Sequence, residues 1–436
     1  MIAGRGSIPY NGIGSIPPEN LPMPRSTPYL SLVTFLLVSA PLAAADNDED
    51  FFFRKGDRIV FLGDSITEQY QYSTDIELYL TTRFPDGGMT FINAGIGGDT
   101  ANGGARRFAE HVLAEKPTAL TIDFGMNDGG YGPYYADRAK QYRDRTEEML
   151  KAAQKASVRV ALISPNAVEI RARPQLKTYL ETQQKFYAPL KELADKYNVP
   201  FVDQYAVTRK VLEKIAADNA NVHPFPDGVH TNGPGGLLMA HTILTGLKAP
   251  AVVSDVEIDA SAKKTKTTGC TVEELNVTSD SISFQRKDKA LPMPIQQDWQ
   301  PILPYVNDLK DLNYYGLKVT GLNGGKYTLS IDGAKAGEYT AEELSKGVNL
   351  GTLGTGPLFG QGQEVFKMIR EKNNIVHKRF RQVVMVPPPP YWLADVYNER
   401  KPKELKKLLE EIQTRQEAIY KKVQPAAHRF ELKAVK

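Results

Sequence analysis

Between Asp57 and Lys248, short apolar runs alternate with stretches of helical length, and this alternation restricts the fold more than any other feature of the chain. The runs at residues 58–62, 89–92, 119–124, 159–164 and 200–203 are each bounded by glycine, proline or polar residues. Short, continuously apolar runs of this kind read as strands buried on both faces. The segments between them, such as 136–157 and 175–198, are long enough for crossover helices. The expected fold class is therefore α/β, a doubly wound parallel sheet with helices on both sides. Sheets of this type bind ligands beyond the carboxyl ends of their strands.

Four short motifs follow in fixed order, three of them at such strand ends. The first is Gly63-Asp64-Ser65: a serine directly after a strand projects its hydroxyl and its own N–H at the sheet edge, although Asp64 or Ser65 equally serves as a helix cap. It is not the G-x-S-x-G elbow of α/β-hydrolases. The second, Gly97-Gly98-Asp99, lets the Gly98 N–H approach a substrate oxygen closely, or is a plain glycine turn. Because Thr100 stands where the third glycine of a G-x-G-x-x-G run would be, it completes no dinucleotide fingerprint, and no cofactor is expected. The third, Gly125-Met126-Asn127-Asp128, offers the Asn127 amide to a developing negative charge, or forms an Asn-Asp-Gly turn. In the last, Asp227-Gly228-Val229-His230, the histidine is a natural base for Ser65, with a carboxylate three residues earlier to hold its tautomer; the alternative is a solvated surface loop. Among the six histidines the local competitor is His223, which has no acidic residue three positions before it.

Taken together the four motifs resemble those of the SGNH hydrolases, the GDSL-type esterases and lipases. The resemblance covers about residues 57–248 and includes all four signature residue types in the family's order. It implies a flavodoxin-like three-layer α/β/α domain, no metal, and acyl-enzyme chemistry on carboxylic esters. Carried over by position, Ser65 would be the nucleophile, His230 the base and Asp227 its orienting partner. The Ser65 N–H, the Gly98 N–H and the Asn127 side chain would form the oxyanion hole. The block after Ser65 reads Ile-Thr where many relatives have Leu-Thr. An acetyl group on carbohydrate suits an exported enzyme of this kind. A lipase or lysophospholipase, and a non-catalytic glycan-binding protein on the same scaffold, are the alternatives.

The rest of the chain sets the context. The near balance of 54 basic and 51 acidic residues, net +3, gives no electrostatic footprint for nucleic acid. The expected partner is a small-molecule or polysaccharide ester. Residues 1–45 read as leader and signal peptide, with Met23 as the true start, an apolar run, Ala43-Ala44-Ala45 at the cleavage site and Asp46 as mature N-terminus. That order predicts export to periplasm or medium and no integral membrane association after cleavage. The lone Cys270 allows no internal disulfide and reads as a small buried residue. Three units are then expected: the hydrolase domain over 46–249, a small β-rich unit over 250–360 with a hairpin at Asn323-Gly324, and a helical C-terminal segment over 361–436. In the last, 361–381 reads as one helix, and 402–423 begins a second after the Pro387–Pro390 run. Trp299, Trp392, Tyr314, Tyr315 and Tyr391 are either sugar-stacking platforms or core packing.

Overall fold

The structure, a computed structural model, describes residues 50–435; the expected leader, signal sequence and cleavage site lie outside the described residues. Five strands, β1 (Arg58–Gly63), β2 (Thr90–Gly95), β3 (Ala119–Asp123), β4 (Arg159–Ile163) and β5 (Phe201–Val202), form an all-parallel sheet in the order β2-β1-β3-β4-β5. Every residue of β3 is buried, as a strand covered on both faces requires. The connections carry α1 (Ser65–Glu68), α2 (Gln71–Arg83), α3 (Ala101–Arg107), α4 (Met126–Gly129), α5 (Ala136–Lys155), α6 (Lys177–Tyr197), α7 (Gln204–Ala217) and α8 (Gly233–Gly246). The strand order turns at β1, and ligands bind at such a switch point. In register, Gly63 lies level with both Gly95 and Asp123, so β1, β2 and β3 end together and their loops open side by side. Close approach forces the glycines at two of these ends. A Cβ on Gly63 would stand 2.7 Å from the Asp123 carbonyl oxygen, and one on Gly95 would stand 2.3 Å from the Glu68 nitrogen.

Beyond α8 the chain builds two further sheets. Strands β6 (Val252–Asp259), β7 (Lys264–Thr268), β8 (Cys270–Val277), β9 (Ser281–Asp288), β10 (Tyr314–Thr320), β11 (Lys326–Ile331), β12 (Ala334–Thr340), β13 (Val348–Asn349) and β14 (Ala427–Ala434) pair in the orders β13-β10-β6-β7 and β12-β11-β14-β9-β8. Arg286 on β9 ties one sheet to the other. It donates to Asp288, to the Gly316 carbonyl at 2.9 Å and to Ser254 at 2.6 Å, while Tyr315 lies under its guanidinium and donates to Asp288 at 2.7 Å. Helices α9 (Ala341–Lys346), α10 (Pro357–Arg379) and α11 (Ala394–Lys422) complete the chain.

Three local expectations change. The hairpin turns at Asp332-Gly333 rather than at Asn323-Gly324: both turn residues have positive φ, the geometry that a two-residue hairpin needs. The Asn323 loop instead crosses between sheets, since β10 pairs with β6 and β11 with β12 and β14. The C-terminal segment is not helical to its end: β14 lies between β11 and β9, where its buried Phe430 and Leu432 complete the sheet. The last helix begins at Ala394, eight residues before the exposed Pro402.

The C-terminal half packs closely on the helices around the parallel sheet. Lys372 of α10 is fully buried against Glu77 of α2 and donates to Gln416 of α11 at 2.9 Å; Asn373 donates to Glu77 at 3.0 Å. Arg83 at the end of α2 donates to the Pro250, Val252 and Leu312 carbonyls, and Tyr420 of α11 accepts from the Met89 N–H at 2.8 Å. Among the described residues no helix is long and apolar enough to cross a membrane.

Candidate active site

The loop after β1 presents Ser65 at the first position of α1. Asp64 caps that helix by accepting the Ile66 N–H at 2.9 Å, the capping role that this motif also allows. Ser65 Oγ stands 2.8 Å from His230 Nε2, and His230 Nδ1 stands 2.7 Å from Asp227 Oδ2. The other Asp227 oxygen accepts the N–H groups of Val229 at 2.9 Å and His230 at 2.7 Å, which fixes the carboxylate against the histidine backbone. Gly228 makes this turn with φ of +90°, and a Cβ there would meet Arg173 Cβ at 2.7 Å. Burial pulls the Asp227 pKa upward, but the bonds from His230 and Val229 outweigh it and hold the carboxyl below its ordinary value. The site is open to solvent, with the His230 side chain 36% exposed.

Geometry decides between the two local histidines. His223 does have a carboxylate partner, Glu169, at 2.7 Å, which comes from 54 positions away rather than three. It is His230, however, that reaches Ser65. The Glu169–His223 pair, with Glu169 also accepting the Phe225 N–H at 2.9 Å, braces the loop that carries Asp227 and His230.

Gly98 and Asn127 lie on the neighbouring loops. Gly98 has φ of +74°, with open space where a Cβ would be. The Asn127 amide donates to the Asp99 carbonyl at 2.9 Å and weakly, at 3.4 Å, to Asp64; Tyr131 donates to its oxygen at 2.8 Å. The long bond to Asp64 leaves one N–H available for a stronger acceptor. The structure thus brings together Ser65, His230 and Asp227 by direct hydrogen bonds, and sets Gly98 on the loop after β2 and Asn127 in the first turn of α4, just beyond β3.

Several supporting residues were given no such role by the sequence, whether they lie within the motifs, as Asp64 and Asp128 do, or outside them. Asp64 is buried, and burial first, with Asp128 and Asp99 adding repulsion, raises its pKa to about 7. Asp128, which accepts the Ala101 N–H at 3.0 Å, is likewise raised by burial to about 7. Arg107 anchors the second loop, donating to Asp99 at 2.8 Å and to the Ala94 carbonyl at 2.8 Å. Glu68 accepts the Gly97 N–H and pairs with Arg381 at 2.6 Å, so a residue just beyond α10 holds the loop that carries Gly98. Glu68 lies three positions after Ser65, but its partners Gly97 and Arg381 are remote, so only the fold reveals its role. Among the described residues there is no group of three His, Cys, Asp or Glu side chains that could hold a metal ion.

The chain's likeness to known proteins follows the same division. Residues 61–235 match the model of the GDSL-like lipase/acylhydrolase family. An acetylxylan esterase of Geobacillus stearothermophilus is 25% identical over 213 residues, which span 43% of this chain and 93% of that protein. The solved structure of a gut microbial diltiazem-metabolizing enzyme is 25% identical, with a TM-score of 0.75, and the match covers 88% of this chain and 98% of that one. The second likeness therefore extends well beyond the hydrolase half.

Proposed function

We propose that this chain, a carboxylic ester hydrolase with a GDSL-type acylhydrolase domain, is an exported serine esterase that removes short acyl groups, acetyl above all, from carbohydrate. The observation that carries the mechanism is the unbroken chain from Ser65 Oγ through His230 to Asp227, at 2.8 and 2.7 Å. In this reading His230 takes the Ser65 proton as the oxygen attacks the ester carbonyl. Asp227 holds the imidazole in the tautomer that leaves Nε2 free to accept, and stabilises the imidazolium that forms. The Ser65 and Gly98 N–H groups and the Asn127 amide receive the oxyanion, with Tyr131 and the Asp99 carbonyl fixing the amide plane beforehand. His230 then protonates the leaving alcohol, and a water activated by the same histidine releases the acid.

Acetyl on carbohydrate is favoured by the likeness to an acetylxylan esterase over the hydrolase half. The open site and the polar surroundings of Ser65 agree with a small acyl group. Export rests on the order of basic residue, apolar run and small residues before Asp46. The test is acid release by the chain from Asp46 onward, beside its Ser65→Ala variant, from acetylated xylan, p-nitrophenyl acetate, a long-chain homologue and diltiazem. Ser65-dependent acetate release from the polysaccharide is the expected result. Turnover confined to long acyl chains would replace the reading with a lipase, and equal turnover by the variant would remove Ser65 from the reaction.

A further inference from the structure

A cavity of about 450 Å³ lies against the turn that follows Ser65. Glu68 and Gln69 follow Ser65 by three and four residues, so they share its side of the helical turn, and both line the cavity. Gln69 also accepts the Thr231 N–H at 3.2 Å, next to His230. The opposite wall belongs to the C-terminal half: Asp298 and Trp299 from a 3-10 segment at Gln297–Tyr305, and Phe366, Arg370 and Asn374 from α10. The volume is that of an ordinary small-molecule site.

The lining carries hydrogen-bonding capacity that the protein leaves unused. Asp75, only 5% exposed, has no hydrogen-bond partner for its shielded Oδ2 among the described residues, and neither has the Tyr70 hydroxyl. Tyr70 is held at φ of +62°, a left-handed conformation that a bulky residue adopts only when its surroundings impose it. Burial, then repulsion from Asp298, pushes the Asp75 pKa well above its ordinary value, against the opposing pull of Arg370. Unpaired buried polar groups are costly, and a ligand that pairs them recovers that cost.

Three ligand classes can be compared on this lining. An acyl chain would leave these polar groups dry and unpaired. A phosphate headgroup would meet the carboxylates of Glu68 and Asp298, with Arg370 as the opposing cation. A sugar ring offers neutral hydroxyls that donate and accept at once, and a C–H face for the half-buried Phe366, which packs edge to face on the buried Trp299 at 6.3 Å. We propose that this cavity holds a sugar ring of the alcohol moiety, with Asp75 and Tyr70 hydrogen-bonding its hydroxyls and the C-terminal half supplying the wall that selects it. The proposal rests on the carbohydrate esterase reading above.

The experiment compares acetylated xylo-oligosaccharides with p-nitrophenyl acetate for the parent chain, Asn374→Trp, which fills the cavity from an exposed helix position, and Asp298→Ala. The ratio of kcat/KM for sugar ester over aryl ester should fall about tenfold or more in Asn374→Trp and in the same direction in Asp298→Ala. In parallel, unacetylated xylo-oligosaccharide is titrated calorimetrically into Ser65→Ala and into Ser65→Ala/Asn374→Trp; binding should be present in the first and lost in the second. A ratio unchanged within about twofold, or a parallel loss on both esters, would overturn the proposal. Sugar binding lost on Asn374→Trp in a chain that hydrolyses neither ester would retain the cavity and reject the esterase reading. Hydrolysis of both esters with a constant ratio and no binding would do the reverse.

Discussion

Replacing Lys372 with Met removes one half of an ion pair that is sealed between α2 and α10. The two side chains are 0% and 1% exposed, so neither charge reaches water when its partner is lost. Burial pushes the Glu77 pKa up and the Lys372 pKa down, and each group opposes the other's shift. After the substitution Glu77 keeps only Asn373, at 3.0 Å, as a side-chain donor. Breaking one side of a buried pair costs about 3–5 kcal/mol, because the remaining charge is left uncompensated. With a urea m-value of about 3 kcal/mol/M, the unfolding midpoint should fall by about 1–1.7 M. Trp299 is a suitable reporter, since it is buried against Phe366 on the same helix.

The double variant Lys372→Met/Glu77→Gln should recover most of the loss, since a neutral pair of similar volume carries no stranded charge. The sign of the pH dependence is also fixed. Without Lys372 the folded-state pKa of Glu77 rises further, and a raised carboxyl contributes stability below its unfolded pKa that is lost as pH rises through the folded value. The deficit of the single variant should therefore be smaller at pH 5 than at pH 7. A loss below about 1 kcal/mol, or a double variant no more stable than the single one, would refute the stranded-charge argument.

Other outcomes follow from the site. Asn127→Ala should lower kcat by about 10²–10³-fold with little change in KM, and Tyr131→Phe, which releases only the Asn127 oxygen, by about fivefold; steady-state kinetics on p-nitrophenyl acetate reads both, and a pure KM effect would count against oxyanion donation. His230→Ala should cost about 10⁴-fold or more in kcat, with unfolding unchanged, and activity close to the parent would exclude it as the base. Gly228→Ala forces a Cβ into φ of +90° and against Arg173 Cβ at 2.7 Å; it should lower both kcat and thermal stability, and an unaltered Tm would show that the loop yields. Because Asp64 and Asp128 are each raised to about 7, unfolding free energy should decline as pH rises from about 4 through 7. Asp64→Asn should flatten that decline in urea titrations, and an unchanged slope would assign it elsewhere.

Much of the hydrolase half was legible because each decisive signal is local. A strand buried on both faces must be a short apolar run, and the run ends where Gly63, Gly95 and Gly125 stand, so the sheet and its loops follow from residues close in sequence. Asp227 and His230 are also local partners, three positions apart on one turn. Where partners are remote the signal disappears. His223 looked unpaired only because Glu169 lies 54 residues away, and Glu68 carries no mark of its link to Arg381 or to the Gly97 N–H. The C-terminal half was read less well for the same reason. Asn323-Gly324 has the composition of a hairpin turn, but sheet membership depends on which strands bury a common face. β14 reads as part of the helical C-terminal segment until Phe430 and Leu432 find the slot between β9 and β11.

The sequence by itself determined the reaction class and the order of the parts: a parallel α/β half with serine, glycine, asparagine and Asp-x-x-His groups at its loops, then a β-rich region and long helices. Tertiary structure alone decided that Glu169 pairs with His223, and that Trp299 and Tyr315 are buried while Tyr391 and Trp392 are exposed. It also decided that α10 reaches back to the helix that begins at Ser65 to close one side of a polar cavity. Local chemistry is written in neighbouring residues. A cavity is made by the distance between surfaces that the chain brings together only when its cores are packed.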